Sequence, residues 1–167
     1  MDKRLPGLLE ALPDGRSATL TLRTGRRIAL CRTDGRVRRE YPELLYLCRG
    51  CARYRIGGAE VTVREGELLL LGQNTPLEPL TGESAPLAVS FFIKPEFFGD
   101  ILSFLGSEQT PLREFVLRCL GQETPYGYLH FHVAGIRPIE NLLENLLLHL
   151  LESPDSRRAI PLYTVGL

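Results

Sequence analysis

No stretch of this 167-residue chain approaches eighteen apolar residues in a row, so no membrane-spanning helix is expected. The opening Met1-Asp2-Lys3-Arg4-Leu5-Pro6 is not followed by an apolar core of roughly 7–15 residues with a small-residue cleavage site. A cytoplasmic, reducing location follows. There the four cysteines, Cys31, Cys48, Cys51 and Cys119, are expected as thiols. Net charge is also lacking: 20 Lys/Arg balance 20 Asp/Glu, which gives no global pull toward nucleic acid or an anionic membrane. The common catalytic signatures are missing as well. There is no G-x-x-x-x-G-K-[ST] phosphate cradle, no G-x-S-x-G elbow and no H-E-x-x-H helix, and neither Ser90 nor Ser103 has a context that would activate it.

What is present suits one ordinary globular domain, with 44% apolar and 24% charged residues and a length that buries a sizeable core unaided. Charge is unevenly placed. Residues 1–55 hold 13 of the 20 basic but 6 of the 20 acidic residues, so that stretch stands at +7 and the remainder at −7. Arg23, Arg26, Arg27, Arg32, Arg36, Arg38 and Arg39 form a basic run, read as a solvated strand surface facing acidic groups elsewhere.

From Arg16 to Leu71, short β-branched and aliphatic segments alternate with turn pairs at Asp14-Gly15, Thr24-Gly25, Asp34-Gly35, Arg49-Gly50, Gly57-Gly58 and Glu65-Gly66. Turns at intervals of about 8–12 residues indicate an all-β sandwich or barrel. The predicted strands are 17–23, 26–32, 43–49, 51–56, 59–64, 68–71 and 86–93. The strongest hairpin runs from Arg53 to Val63, alternating polar and apolar on both arms of a Gly-Gly turn. After Pro95 the period becomes helical, with Phe97, Phe98, Ile101, Leu102 and Leu105 ending at Gly106. A second helix is predicted over 112–120 and a short strand over 128–133. Pro138 then opens the strongest helix, whose stripe is Ile139, Leu142, Leu143, Leu146, Leu147, Leu150 and Leu151, with Leu148 off it. An amphipathic segment after Pro154 stops in mid-pattern, as expected of a chain cut from a longer protein. The expected division is a barrel with short helices over 1–133 and a helical segment over 134–167.

The run Glu43-Leu44-Leu45-Tyr46-Leu47-Cys48-Arg49-Gly50, followed by Gly58 through Gly66-Glu67-Leu68-Leu69-Leu70-Leu71, resembles the cupin pattern of the N-terminal sensor domains of AraC-type transcription regulators. Residues 72–94, 95–105 and 138–167 resemble the strand, aromatic-rich helix and helical pair that follow in those domains. The resemblance implies a mainly β fold with α elements: a cupin-like double-stranded β-helix, or jelly-roll barrel, followed by C-terminal helices. It further implies a module that binds a small organic effector and forms a homodimer, with DNA contacted only through a C-terminal region of two helix-turn-helix units that this chain does not include. No enzyme activity is expected. A stand-alone cupin enzyme with an atypical metal or none is the alternative.

Metal-binding cupins bring two histidines and a glutamate together on one strand and add a third histidine from another, since alternate strand residues share a face. With Glu43 aligned on that glutamate, the histidine positions fall on Val37, Arg39 and Leu77. None of these is a ligand, so no metal and no cofactor is expected in the barrel. His130-Phe131-His132 places two imidazoles on one strand face but has no third ligand nearby in sequence, and is read as a hydrogen-bonded pair; His149 belongs to the polar helix face. Cys48-Arg49-Gly50-Cys51 lacks the second pair that a zinc site needs. If Arg49-Gly50 is a tight turn, the two thiols face each other across a hairpin. The candidate ligand pocket is Glu43, Leu45 and Leu47 on one side of a strand, with Leu77, and Arg39, Arg53 and Arg55 as anchors for an anionic or hydroxylated ligand. The candidate dimer helix carries Leu143, Leu147, Leu148 and Leu151.

Overall fold

The structure, a computed structural model, describes residues 22–23, 28–31, 41–80, 86–93, 96–121 and 127–152. Among them the strands are β1 (Leu22–Arg23), β2 (Ile28–Cys31), β3 (Glu43–Arg49), β4 (Cys51–Ile56), β5 (Ala59–Arg64), β6 (Glu67–Leu71), β7 (Leu77–Leu80), β8 (Leu87–Ile93) and β9 (Tyr128–His132). The helices are α1 (Glu96–Leu105), α2 (Pro111–Leu120) and α3 (Arg137–Glu152). All strand pairings are antiparallel. They build a six-stranded sheet in the order β1-β2-β8-β3-β6-β9 and a three-stranded sheet in the order β5-β4-β7. The fold is therefore mainly β with helices.

The two sheets differ in sequence texture because they differ in what covers them. β4 alternates strictly: Ala52, Tyr54 and Ile56 are buried and Cys51, Arg53 and Arg55 exposed, as expected of a sheet with one wet face. β6 reads Glu-Leu-Leu-Leu-Leu and is buried at every position, because both of its faces are covered. Leu69 and Leu71 join Leu45 and Leu47 of β3 and Val61 and Val63 of β5 in a core between the sheets. Leu68 and Leu70 join Tyr46, Val89 and Phe91 in a second core closed by Phe98 of α1, Val116 of α2, and Leu143 and Leu146 of α3. Alternation along the central strands thus feeds two cores from one sheet.

The helices begin and end where local chemistry allows. Thr110 caps α2, its Oγ1 accepting a hydrogen bond from the Arg113 backbone N–H at 3.1 Å, with Pro111 in the first turn. Ahead of α3, Glu140 Oε1 accepts from the Gly135 N–H at 3.1 Å.

Strands 43–49, 51–56 and 59–64 match the sequence reading residue for residue, while 17–21, 24–27 and 32 lie outside the described residues. Two features differ from expectation. β7 was not anticipated, since Leu77-Glu78-Pro79-Leu80 carries a proline; it pairs with β4 as an edge strand, where a missing N–H is tolerated. In addition, the turn at Arg49-Gly50 does not close a hairpin, because β3 and β4 belong to different sheets. Cys48 is accordingly buried and Cys51 exposed, and both thiols are free.

Gly66 fixes the corner between β5 and β6. Its φ is +81°, and a Cβ placed there would lie 2.7 Å from Ala134 Cβ and 2.8 Å from Ala134 Cα. Gly66→Ala therefore combines left-handed strain with a clash against backbone, and a loss of about 3 kcal/mol or more is expected. Gly57→Ala, at φ +56° with nothing within 4 Å, is expected to lose about 1–2 kcal/mol. Urea unfolding of both variants checks this order.

Candidate functional site

An apolar cavity of about 240 Å³ lies between the six-stranded sheet and the three helices. Leu68, Leu70, Phe131 and Val133 form its sheet wall, and Phe98 and Val116 are among the helical residues closing it. Every lining residue is apolar. Phe104, also part of the lining, is 74% exposed and marks the side open to water. Such a space holds an aliphatic or aromatic body and offers no polar group to orient it. Its volume is just below the roughly 300–1,000 Å³ of ordinary small-molecule pockets, which favours a slender occupant.

A polar cluster lies on the opposite face of the same strands. β6 and β9 pair so that Glu67 stands opposite His132 and Leu69 opposite His130, which puts Glu67 and both histidines on one face. Glu67 Oε1 lies 2.7 Å from His132 Nδ1, and Oε2 lies 3.0 Å from His130 Nε2. The two imidazole rings are 4.6 Å apart between centroids. Glu67 Oε2 also accepts the Arg64 backbone N–H at 2.8 Å, which fixes the carboxylate at the Gly66 corner. Burial by itself raises the Glu67 pKa; the Arg64 N–H and the hydrogen bonds from His132 and His130 outweigh it and hold the carboxyl below its ordinary value. The cluster opens outward, the side chains of Glu67, His130 and His132 being 8%, 20% and 71% exposed. Three donor atoms, one per residue, lie within 4.8 Å of one another, so these residues are able to hold a metal ion.

The residues expected to form the pocket are only partly brought together. Leu45, Leu47 and Leu77 share the core between the sheets, and Glu43, fully buried, lies on the same face of β3 by alternation. The expectation that Arg53 and Arg55 anchor a ligand there is corrected: they alternate with the buried Tyr54 and face solvent. Arg55 instead forms exposed ion pairs with Glu60 at 3.5 Å and Glu78 at 3.8 Å. Arg39 lies outside the described residues, as does Val37. Leu143, assigned to a dimer face, is wholly buried in the chain's own core, since helical spacing puts it on the stripe with Leu146. Leu148 is half-buried, and the side chains of Leu147, His149 and Leu151 lie outside the described residues. Sequence reasoning saw the histidine pair but not its partner. The signal available was the β6 pattern itself, a lone glutamate opening a strand of four leucines that face both ways.

No protein-family model matches the chain, and no curated protein matches it. Among solved structures, apo ToxT from Vibrio cholerae is similar, with a TM-score of 0.52 and 12% identity over 79% of this chain and 47% of that one. ToxT from the same organism bound to an unsaturated fatty acid aligns with a TM-score of 0.49 and 15% identity over 79% of this chain and 46% of that one. The chain thus spans about half the length of these proteins, matching the N-terminal part of an AraC-family regulator. At this identity the likeness concerns the fold.

Thiol chemistry offers a check on the placement of β3 and β4. Burial, then the Glu65 carboxylate, pushes the Cys48 thiol up to about 12, and burial does the same to Cys119. At about pH 8 both should resist alkylation in the native state while exposed Cys51 reacts, because the thiolate is the nucleophile. Peptide mapping after a short pulse of iodoacetamide should find label on Cys51 and none on Cys48 or Cys119 until the chain is unfolded.

Proposed function

We propose that this chain is the effector-sensing and dimerisation half of an AraC-type transcription regulator, built on a cupin-like jelly roll. Its effector is a slender apolar or amphipathic small molecule seated between the six-stranded sheet and the helices. The observation that carries this reading is the wholly apolar cavity in a fold similar to that of ToxT. The sequence resemblance to AraC-type sensor domains, reached from residues 43–71, points the same way. The space between the sheets is filled by Leu45, Leu47, Val63, Leu69 and Leu71, so the effector site is assigned to the helix side and not to the barrel interior.

The lining dictates the ligand class. With no polar group in the wall, a carboxylate or hydroxyl head has to remain at the mouth near Phe104, in water, while an acyl or alkyl body fills the cavity. ToxT has been solved with an unsaturated fatty acid bound, a ligand of this shape. DNA would be contacted by a further domain, and the module's part is to report occupancy through α3 and the chain beyond it. A regulator of this kind works without catalysis and inside the cytoplasm; among the described residues no helix is long and apolar enough to cross a membrane.

Pairing of two protomers is assigned to the α3 face that bears Leu148, because Leu143 and Leu146 are spent on the chain's own core. A two-fold dimer is the default arrangement.

Two measurements test the reading. Long-chain unsaturated fatty acids should raise the thermal midpoint saturably, by the equivalent of about 2.7 kcal/mol at a hundredfold excess over Kd. Ile101→Trp, at a half-buried position in the cavity lining, should abolish that response while the protein stays folded. Absence of any saturable response to such acids, or an undiminished response in Ile101→Trp, would contradict this site. Separately, light scattering over a concentration series should show a dimer that Leu148→Glu converts toward monomer, since a charge on the partner-facing side removes association energy.

A further inference from the structure

We infer that Glu67, His130 and His132 form a binding site for one divalent transition-metal ion of the zinc, cobalt, nickel or iron(II) class, at the β6–β9 edge of the six-stranded sheet. The site is separate from the apolar cavity and from the barrel positions Val37, Arg39, Glu43 and Leu77, where a cupin-type ion was considered and rejected.

The donor set selects the ion. Two imidazole nitrogens and one carboxylate oxygen suit zinc and its transition-metal neighbours, whereas magnesium and calcium prefer oxygen throughout. The spacing fits as well. Ligand bonds of about 2.0–2.2 Å at octahedral or tetrahedral angles place neighbouring donors about 3.0–3.4 Å apart. The observed separations are 3.0 Å for Glu67 Oε2 to His130 Nε2 and 2.7 Å for Glu67 Oε1 to His132 Nδ1, so side-chain adjustments of a few tenths of an ångström admit an ion.

The carboxylate is preorganised by a partner that is not itself a ligand. The Arg64 N–H holds Glu67 Oε2 at 2.8 Å, the kind of supporting contact that orients a metal ligand. The ladder between β6 and β9 holds the imidazoles, with Glu67 opposite His132 and two residues diagonal from His130. The 71% exposure of His132 leaves a path for entry. With three protein ligands and a solvent side, water or an exogenous ligand completes the shell, in contrast to the four protein ligands of a closed structural site. A bound ion would link an edge strand to its only neighbour in the sheet, immediately before the chain enters α3.

A carboxylate that simply accepts two imidazole N–H groups would hold no ion, and titration distinguishes the two cases. The untagged full chain, stripped with EDTA and dialysed, is titrated with Zn²⁺ by calorimetry and with Co²⁺ by visible absorption. One equivalent should bind. Zn²⁺ should raise the thermal midpoint saturably, and Mg²⁺ or Ca²⁺ at the same concentration should not. His132→Ala, on an exposed side chain that the fold does not need, should weaken Zn²⁺ binding at least about tenfold, as should His130→Ala and Glu67→Gln, with loss of the Co²⁺ absorption. His149→Ala should change neither. Failure to bind one equivalent, or binding that survives His132→Ala and Glu67→Gln unchanged, would overturn the assignment. Fatty-acid binding is measured on the same variants, so a negative result for the ion leaves the effector reading separately decided.

Discussion

The structure depends on one constraint: the central strands β3 and β6 are covered on both faces, by the second sheet on one side and by helices on the other. Each leucine so buried stabilises the fold by roughly 1.5–3 kcal/mol relative to exposure. The four leucines of β6 and Leu45 and Leu47 of β3 are all buried, and they decide where everything else must go. The three-stranded sheet needs only one apolar face, so its arginines and glutamates are free to solvate the other. The helices exist as a layer because Leu68, Leu70, Tyr46 and Phe91 present an apolar surface that would otherwise be wet. Exposed pairs such as Arg55–Glu60 contribute about 0–1 kcal/mol each and decorate the arrangement without directing it.

The same constraint explains where a ligand can enter. Between the sheets, side chains from both layers interdigitate. On the helix side, α1 and α2 meet the sheet through larger, less regular side chains, and the fit around Phe98, Phe131 and Ile139 leaves space. Phe104 is exposed although it follows the helical apolar period, and its position at the cavity mouth accounts for an otherwise costly exposure.

Much of the strand order was legible because period-2 alternation and Gly-containing turns are local signals; β4 and β5 carry both and were placed to the residue. β7 was hidden by Pro79, a local signal against a strand that only edge position overrides. The cysteine pair at 48 and 51 was read as a hairpin because sequence does not show a strand leaving one sheet for another. The dimer stripe included Leu143 because a helical period shows which residues share a face but not whether that face meets the chain itself or a partner. Glu67 was missed for a different reason. It stands 63 and 65 residues from the two histidines, and only the antiparallel pairing of β6 with β9 makes the three neighbours.

That pairing also connects the two candidate sites. Alternation along β9 sends Phe131 and Val133 into the cavity wall and His130 and His132 to the opposite face, while β6 sends Leu68 and Leu70 one way and Glu67 the other. One two-stranded ladder is therefore the partition between an apolar space and a polar cluster. A group that moves β9 relative to β6 from one face necessarily reshapes the other, and any resulting coupling in binding free energy is the same in both directions. The edge position of β9 makes such movement cheap, because only one side of it is held by backbone hydrogen bonds within the sheet, and what it moves next in the chain is α3, the helix to which pairing is assigned. A sensor needs its ligand to act on an element that is held loosely enough to shift and that leads to the output. In this chain β9 meets both conditions.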